Sequence, residues 1–273
     1  MDERTKLLAR IEDPDAPLDV RIEAGERLAA LGDPRVTAVD RVLVPAGECL
    51  FGDREIAVSA FRIDRYPVTV GAYSAFVLAG GYRDPRLWTA RGRAWRDENA
   101  ITKPRFWDEA EWAPYLVPNH PVVGVSVHEA EAFAAFCGAR LPTEAEWERA
   151  CRFPDDRMYP WGDEWRDDAC GLRGYGPRGT VPIGTFPRGR SALGLSDMVG
   201  GVWQWCRDVA DDDAVTPDQD PFVDPDDYDD EAPRVTRGGA WNTQRWSVHA
   251  KSKNAYPPAA RFSNLGFRLA EDV

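Results

Sequence analysis

Between Pro160 and Pro187 a glycine or proline falls every few residues: Pro160, Gly162, Gly171, Gly174, Gly176, Gly179, Pro182 and Pro187. Each proline removes a backbone donor and each glycine raises the entropic cost of order, so neither a long helix nor a wide sheet forms here. Long stretches without regular elements are uncommon unless function or bound ions hold them. Large side chains are the other means of holding irregular chain, and this sequence has eleven Trp. Each buried indole removes on the order of 200 Å² from water, roughly 5 kcal/mol as an upper bound before entropy is charged. The expectation is an α+β fold in which a few helices and short strands frame irregular, aromatic-packed chain.

The elements outside that stretch are legible. Val20, Ala24, Leu28 and Leu31 recur at helical spacing before a capping Gly32, so residues 1–38 read as a helical hairpin packed on a main domain of residues 39–273. Val42-Leu-Val-Pro-Ala-Gly-Glu and Phe61-Arg-Ile-Asp-Arg-Tyr-Pro-Val read as short strands. Thr69 caps a helix carrying Tyr73, Phe76 and Val77 that stops at Gly80-Gly81. Residues 82–119 read as an irregular insertion. A second helix starts near Ser126, and a third at Thr143, where Glu146 completes a capping box. Residues 210–232, rich in Asp, read as a solvated, mobile loop; without a Gly they do not fit a calcium loop.

The net charge of −12 argues against nucleic acid or an anionic membrane as partner. No apolar run reaches membrane-spanning length, and the start Met-Asp-Glu-Arg-Thr-Lys lacks a signal's apolar core, so the chain as encoded reads as cytoplasmic. Cys49, Cys137, Cys151, Cys170 and Cys206 contain no Cys-x-x-Cys pair and are expected as free thiols. Lys6, Lys103, Lys251 and Lys253 are the only lysines, and Asn, Gln and Met are scarce. A thermostable protein and a GC-rich genome account for that bias equally well.

Eight motifs in order resemble one family: Val44-Pro-Ala-Gly-Glu, Tyr66-Pro-Val-Thr, Pro121-Val-Val-Gly-Val-Ser, Arg140-Leu-Pro-Thr-Glu-Ala-Glu-Trp-Glu148, Pro160-Trp-Gly, Gly201-Val-Trp-Gln-Trp205, Arg237-Gly-Gly-Ala-Trp and Asn264-Leu-Gly-Phe-Arg. Together they are similar to the sulfatase-modifying-factor, or formylglycine-generating-enzyme, domain. The resemblance implies a C-type-lectin-like fold over roughly residues 40–270. Read structurally, Arg140 and Glu148 are expected to form a buried ion pair, and Trp203 and Trp205 to share one face of a strand.

The family's active members hold copper by two cysteines five apart, just past the Gly-Gly. Here Thr243 stands near the first position and no Cys follows. Thr does not replace a soft thiolate. The related sulfoxide-forming enzymes of ergothioneine synthesis use three His at iron, and His120, His128 and His249 lack that spacing. For calcium, Asp197 is a weak candidate, because Gln204 stands where the family has Glu. On these grounds the chain is expected to lack catalytic residues and, structural calcium aside, any cofactor.

A non-catalytic branch of this fold comprises the variable proteins of diversity-generating retroelements, whose C-terminal segment is mutagenised at adenines. Thr243, Ser247, Ala255, Tyr256, Ala260, Phe262 and Ser263 are reachable from Asn codons in that way; Gln244, Lys251 and Lys253 are not. The main expectation is therefore a ligand-binding scaffold whose variable segment, 237–268, meets a protein through Thr243, Gln244, Arg245, Trp246, Ser247, His249, Lys251, Ala255, Tyr256, Ala260, Phe262 and Ser263. A fixed regulatory module and a degenerate formylglycine-generating-type oxidase are the alternatives.

Overall fold

The computed structural model describes residues 2–51, 54–210 and 232–273. Most of the acidic segment 210–232 thus lies outside the described residues. Helices α1 (Glu3–Glu12) and α2 (Leu18–Ala30) form the hairpin, closed on Ile11, Ala24 and Leu28. Gly32 ends α2 in the left-handed region, as its position beyond the apolar stripe predicts. The hairpin meets the rest of the chain closely. A Cβ on Gly25 would lie 2.5 Å from Pro182, and Asn119 donates 2.9 Å to the Gly25 carbonyl.

After the short helix α3 (Pro34–Thr37), β1 (Arg41–Val44) leads to a hairpin of β2 (Gly47–Phe51) and β3 (Arg54–Val58). Then β4 (Phe61–Asp64) pairs antiparallel with β1 on one side and with the C-terminal β9 (Ala270–Asp272) on the other. Helix α4 (Val70–Leu78) starts where Thr69 accepts from the Ala72 amide. The span 82–119 is not wholly irregular. Thr89 caps a further helix, α5 (Ala90–Glu98), hidden in sequence by its charge and by Gly92. Helices α6 (Val127–Phe136) and α7 (Glu144–Arg152) both begin in complete capping boxes, Ser126 with Glu129 and Thr143 with Glu146.

A second sheet runs β7 (Lys253–Tyr256), β6 (Arg234–Arg237), β5 (Trp203–Val209) and β8 (Leu265–Gly266), with β5 and β8 parallel. Alternation along β5 divides two cores. Trp203 and Trp205 enter one with Tyr73, Phe76, Phe133, Tyr256, Phe262 and Phe267. Gln204 points the other way and takes a 2.9 Å bond from the Trp147 indole of α7, whose own core holds Phe61, Ile63, Met198 and Cys206. The α+β expectation holds, and the fold is C-type-lectin-like. All five cysteines are free thiols.

The expected Arg140–Glu148 pair does not form. Arg140 binds Glu146 at 2.7 Å and Asp272 at 2.5 Å. Glu148 is buried and binds Arg237 at 2.5 Å and Arg152 at 2.7 Å. Two residues along a helix are about 200° apart, so the carboxylate facing Arg140 is the capping one. At the join of the two cores sits Arg268, fully buried. Its guanidinium donates to the carbonyls of Asp64, Arg65, Ser196 and Asp197 and, at 2.6 Å, to the Gln204 side chain. Replacing it removes five hydrogen bonds that join three stretches of chain. Arg268→Ala is expected to lose on the order of 4 kcal/mol, read as a lower urea midpoint at unchanged m-value.

Candidate functional site

Strand β6 ends in Arg237, and the chain turns through Gly238 and Gly239 at φ of 101° and 79°. A Cβ on Gly238 would lie 2.5 Å from the Met198 carbonyl, so only glycine passes there. Gly200 donates 2.9 Å to the Gly238 carbonyl, and Trp241 donates 2.9 Å to that of Gly201. The turn is thus clamped against the loop before β5. Thr243 closes it, accepting 3.0 Å from the Ala240 amide through its hydroxyl.

This turn tests the copper site that the resemblance implies. The Cβ direction of Gly239 points 2.8 Å from Val248 and 3.8 Å from Thr243, so residues 243 and 248 converge on one spot. Both are buried. A hydroxyl already engaged with backbone and an isopropyl group offer no donor to a soft metal. The thiols stand elsewhere: burial pushes those of Cys151, Cys170 and Cys206 well up and that of Cys137 to about 11, all away from the thiolate form. Among the described residues no group of three or more His, Cys, Asp or Glu is placed to hold a metal ion.

The histidines lie on separate elements. His128 is on α6 with its ring 5.3 Å from that of Trp95. His249 is half-buried and accepts 3.2 Å from the Lys251 amide. His120 is buried, with Nδ1 3.1 Å from the Thr180 hydroxyl and Nε2 without a hydrogen bond among the described residues. Asp197 is held at φ 55° and accepts 2.7 Å from the Gly184 amide; burial raises its pKa. Its carbonyl, and that of Ser196, bind the Arg268 guanidinium, so an internal cation already meets these oxygens.

Half of the expected display surface is inside. Thr243, Ala255, Tyr256, Ala260, Phe262 and Ser263 are buried. Tyr256 lies edge-on to Phe262 at 4.8 Å and to Trp205 at 6.3 Å. Strand β7, an outer strand by pairing, carries Ala255 and Tyr256, and Tyr256, Ala260 and Phe262 pack into the first core, which is why these three cannot be varied freely. Gln244, Arg245, Trp246, Ser247, His249 and Lys251 do reach the surface, Trp246 at 78% exposure.

Beside those residues is a cluster that the motif reading missed. Tyr159 and Trp161 stack at 5.1 Å, Trp165 stands edge-on to both, and Tyr175 stands edge-on to Trp165 at 5.9 Å. Arg245 lies 4.9 Å above the Trp165 ring and 6.0 Å from that of Tyr175. The available signal was two tryptophans in turn-rich chain, where no helical or strand period gives them a core face.

The model of the sulfatase-modifying factor enzyme 1-like domain matches residues 28–273. The chain belongs to that family. It is 36% identical to the hercynine oxygenase of Mycolicibacterium thermoresistibile over 237 residues, 80% of this chain and 52% of that one. It is 35% identical to that of Mycolicibacterium smegmatis over 269 residues, 92% of this chain and 62% of that one. The formylglycine-generating enzyme of Thermomonospora curvata is 33% identical, over 80% of this chain and 84% of that one. This chain therefore spans between half and two thirds of the hercynine oxygenases it matches. Among solved structures, Treponema denticola variable protein 1 has a TM-score of 0.60 at 18% identity, covering 85% of this chain and 95% of that one, a likeness of fold alone.

These findings correct three expectations. The non-catalytic variable protein gives way to kinship with enzymes, since the variable protein shares the fold at half the identity of the oxygenases. The absence of thiolates past the Gly-Gly does not make the chain a non-enzyme. Nor does the expectation of no cofactor stand, because relatives named as oxygenases work on dioxygen, and such chemistry runs on metals or other redox groups.

His120 yields a pH test. Burial lowers its pKa from 6.5 to about 4, so between those values the unfolded chain binds the proton and the folded one does not. Its contribution to stability is whole above pH 6.5 and is lost progressively as pH falls towards 4. That slope is worth on the order of 3 kcal/mol. His120→Gln should flatten urea-derived stability between pH 7 and 4.5 relative to the unsubstituted chain.

Proposed function

We propose that this chain serves an oxygen-dependent enzyme of the hercynine-oxygenase kind rather than the formylglycine-generating kind. One observation carries the reading: the two positions that converge on Gly239 are Thr243 and Val248, so the chain lacks the soft donors a copper oxidase of this family uses. The higher identities to hercynine oxygenases support it. An iron or other redox centre would supply the activation of dioxygen; among the described residues no group of three or more His, Cys, Asp or Glu is placed to hold it. In this reading the described fold presents and orients substrate. Clamped glycine turns and buried arginines keep the loops around Trp241 in place, so little binding energy goes into ordering them.

The substrate class follows the relatives: hercynine is an amino-acid betaine, a trimethylammonium beside a carboxylate and an imidazole. The test is oxygen uptake by the full-length gene product. Uptake is expected to require both Fe(II) and hercynine, with a thiol present, and to be indifferent to copper. Copper-dependent uptake on a cysteine peptide, or no uptake under either condition, would overturn the reading.

A further inference from the structure

Strand β1 ends the three-stranded sheet β1-β4-β9, and among the described residues no strand pairs with its other edge. Nor does a backbone hydrogen bond from any other described segment reach Arg41–Val44 on that side. An open edge is a template for a further extended chain, and proteins ordinarily blunt it with lysine, proline or a bulge. Strand β1 has none of these. It reads Arg-Val-Leu-Val in unbroken register with β4, and its arginine is turned back onto Asp64, at 3.0 Å, and Glu271.

The face of the sheet beside this edge is apolar and concave. Val39 and Arg41 line a groove of about 320 Å³ whose walls include Val68, Ala75, Phe133 and Phe136. Val39 is 78% exposed, Phe136 is exposed at the wall, and Leu43 is exposed on the face of β1 that it shares with Arg41. Leu78, 84% exposed, follows Ala75 by about one turn of α4. Four large apolar side chains thus gather at one groove, where a monomeric surface normally scatters them.

Charge cancels around the groove. Arg41 and Arg62 meet Asp64 and Glu271 across the sheet, Arg35 meets Asp33, and Arg65 meets Asp40. A chain of net charge −12 repels its own copies from most directions. Four cations matched by four carboxylates leave this face with little charge to oppose a second one.

We propose that this face docks a second copy of the chain. The two β1 strands pair antiparallel about a two-fold axis, and Leu43 of each copy covers the Val39 rim of the other's groove. A two-fold contact uses the same patch on both sides, so an open edge and an apolar rim on one copy complete those of the other. The pairing is independent of the reaction that the chain serves.

Sedimentation equilibrium of the 273-residue chain from roughly 5 to 500 µM reads the association. The mass is expected to climb from 30.5 kDa towards twice that value. Val39→Asp and Leu43→Asp should each weaken the dimer at least tenfold, since the symmetry counts each substitution twice. Val39 is too exposed for its replacement to disturb the fold, and far-UV circular dichroism checks Leu43→Asp. Hydrogen exchange at the amides of Arg41–Val44 should slow as concentration rises. Trp246→Ser, at the exposed aromatic on the other surface, should change nothing. A monomer throughout overturns the proposal. A dimer indifferent to both aspartates, or lost with Trp246→Ser, overturns the choice of face. A dimer weakened by the aspartates with no slowing at Arg41–Val44 overturns the strand pairing.

Discussion

A buried guanidinium that pairs with no carboxylate among the described residues is the constraint on which this molecule turns. Arg268 is satisfied by four backbone carbonyls and one amide oxygen drawn from three separate stretches of chain, around residues 64, 197 and 204. Its desolvation is severe enough to bring its pKa down to about 10, which still leaves it charged at neutral pH. A buried charge is tolerable only when every donor is met, so these carbonyls are held where the cation needs them. The loop before β5 has little regular structure of its own, and this set of bonds stands in for it.

A second arginine does the same for the other end of the C-terminal segment. Arg237 binds Glu144 and Glu148 of α7 and also the carbonyls of Ala250 and Lys251. Between these two anchors the chain has one route, down β7 against the Trp205 face and back through Phe262. That route explains why side chains which look displayed in a linear reading are packed. It also leaves the stretch Gln244–Ser247 outside, beside the Trp165 and Tyr175 rings, and gathers the surface chemistry at one place.

Local features of this chain were legible where the physics is local. Ser126 with Glu129 and Thr143 with Glu146 announce their helices because a capping box is complete within four residues. The alternation of Trp203, Gln204 and Trp205 announces a strand with two different faces. The eight ordered motifs announced the fold. Three readings went astray, each for a non-local reason. Arg140 was paired with the wrong carboxylate of α7 because helix phase decides which one faces it. Tyr256 and Phe262 were taken as displayed because irregular chain has no period from which burial can be read. The missing thiolates were taken to mean no enzyme, although a domain can serve in catalysis without holding the metal by itself.

What the linear order of residues determined is the family and its frame: the glycine pair that a left-handed turn requires, the capping boxes, and the tryptophans that make a poorly regular chain foldable. These depend on the conformational range of single residues and on neighbours within a turn of helix. What only the folded chain decided is which charges meet and which aromatics stay outside. Thr243 and Val248 converge on Gly239, and Arg245 comes to lie across Trp165 eighty residues away in sequence, because burial and ion pairing are settled between distant segments. No local pattern carries that information, since the energy that selects it is shared among side chains that meet only when the cores close.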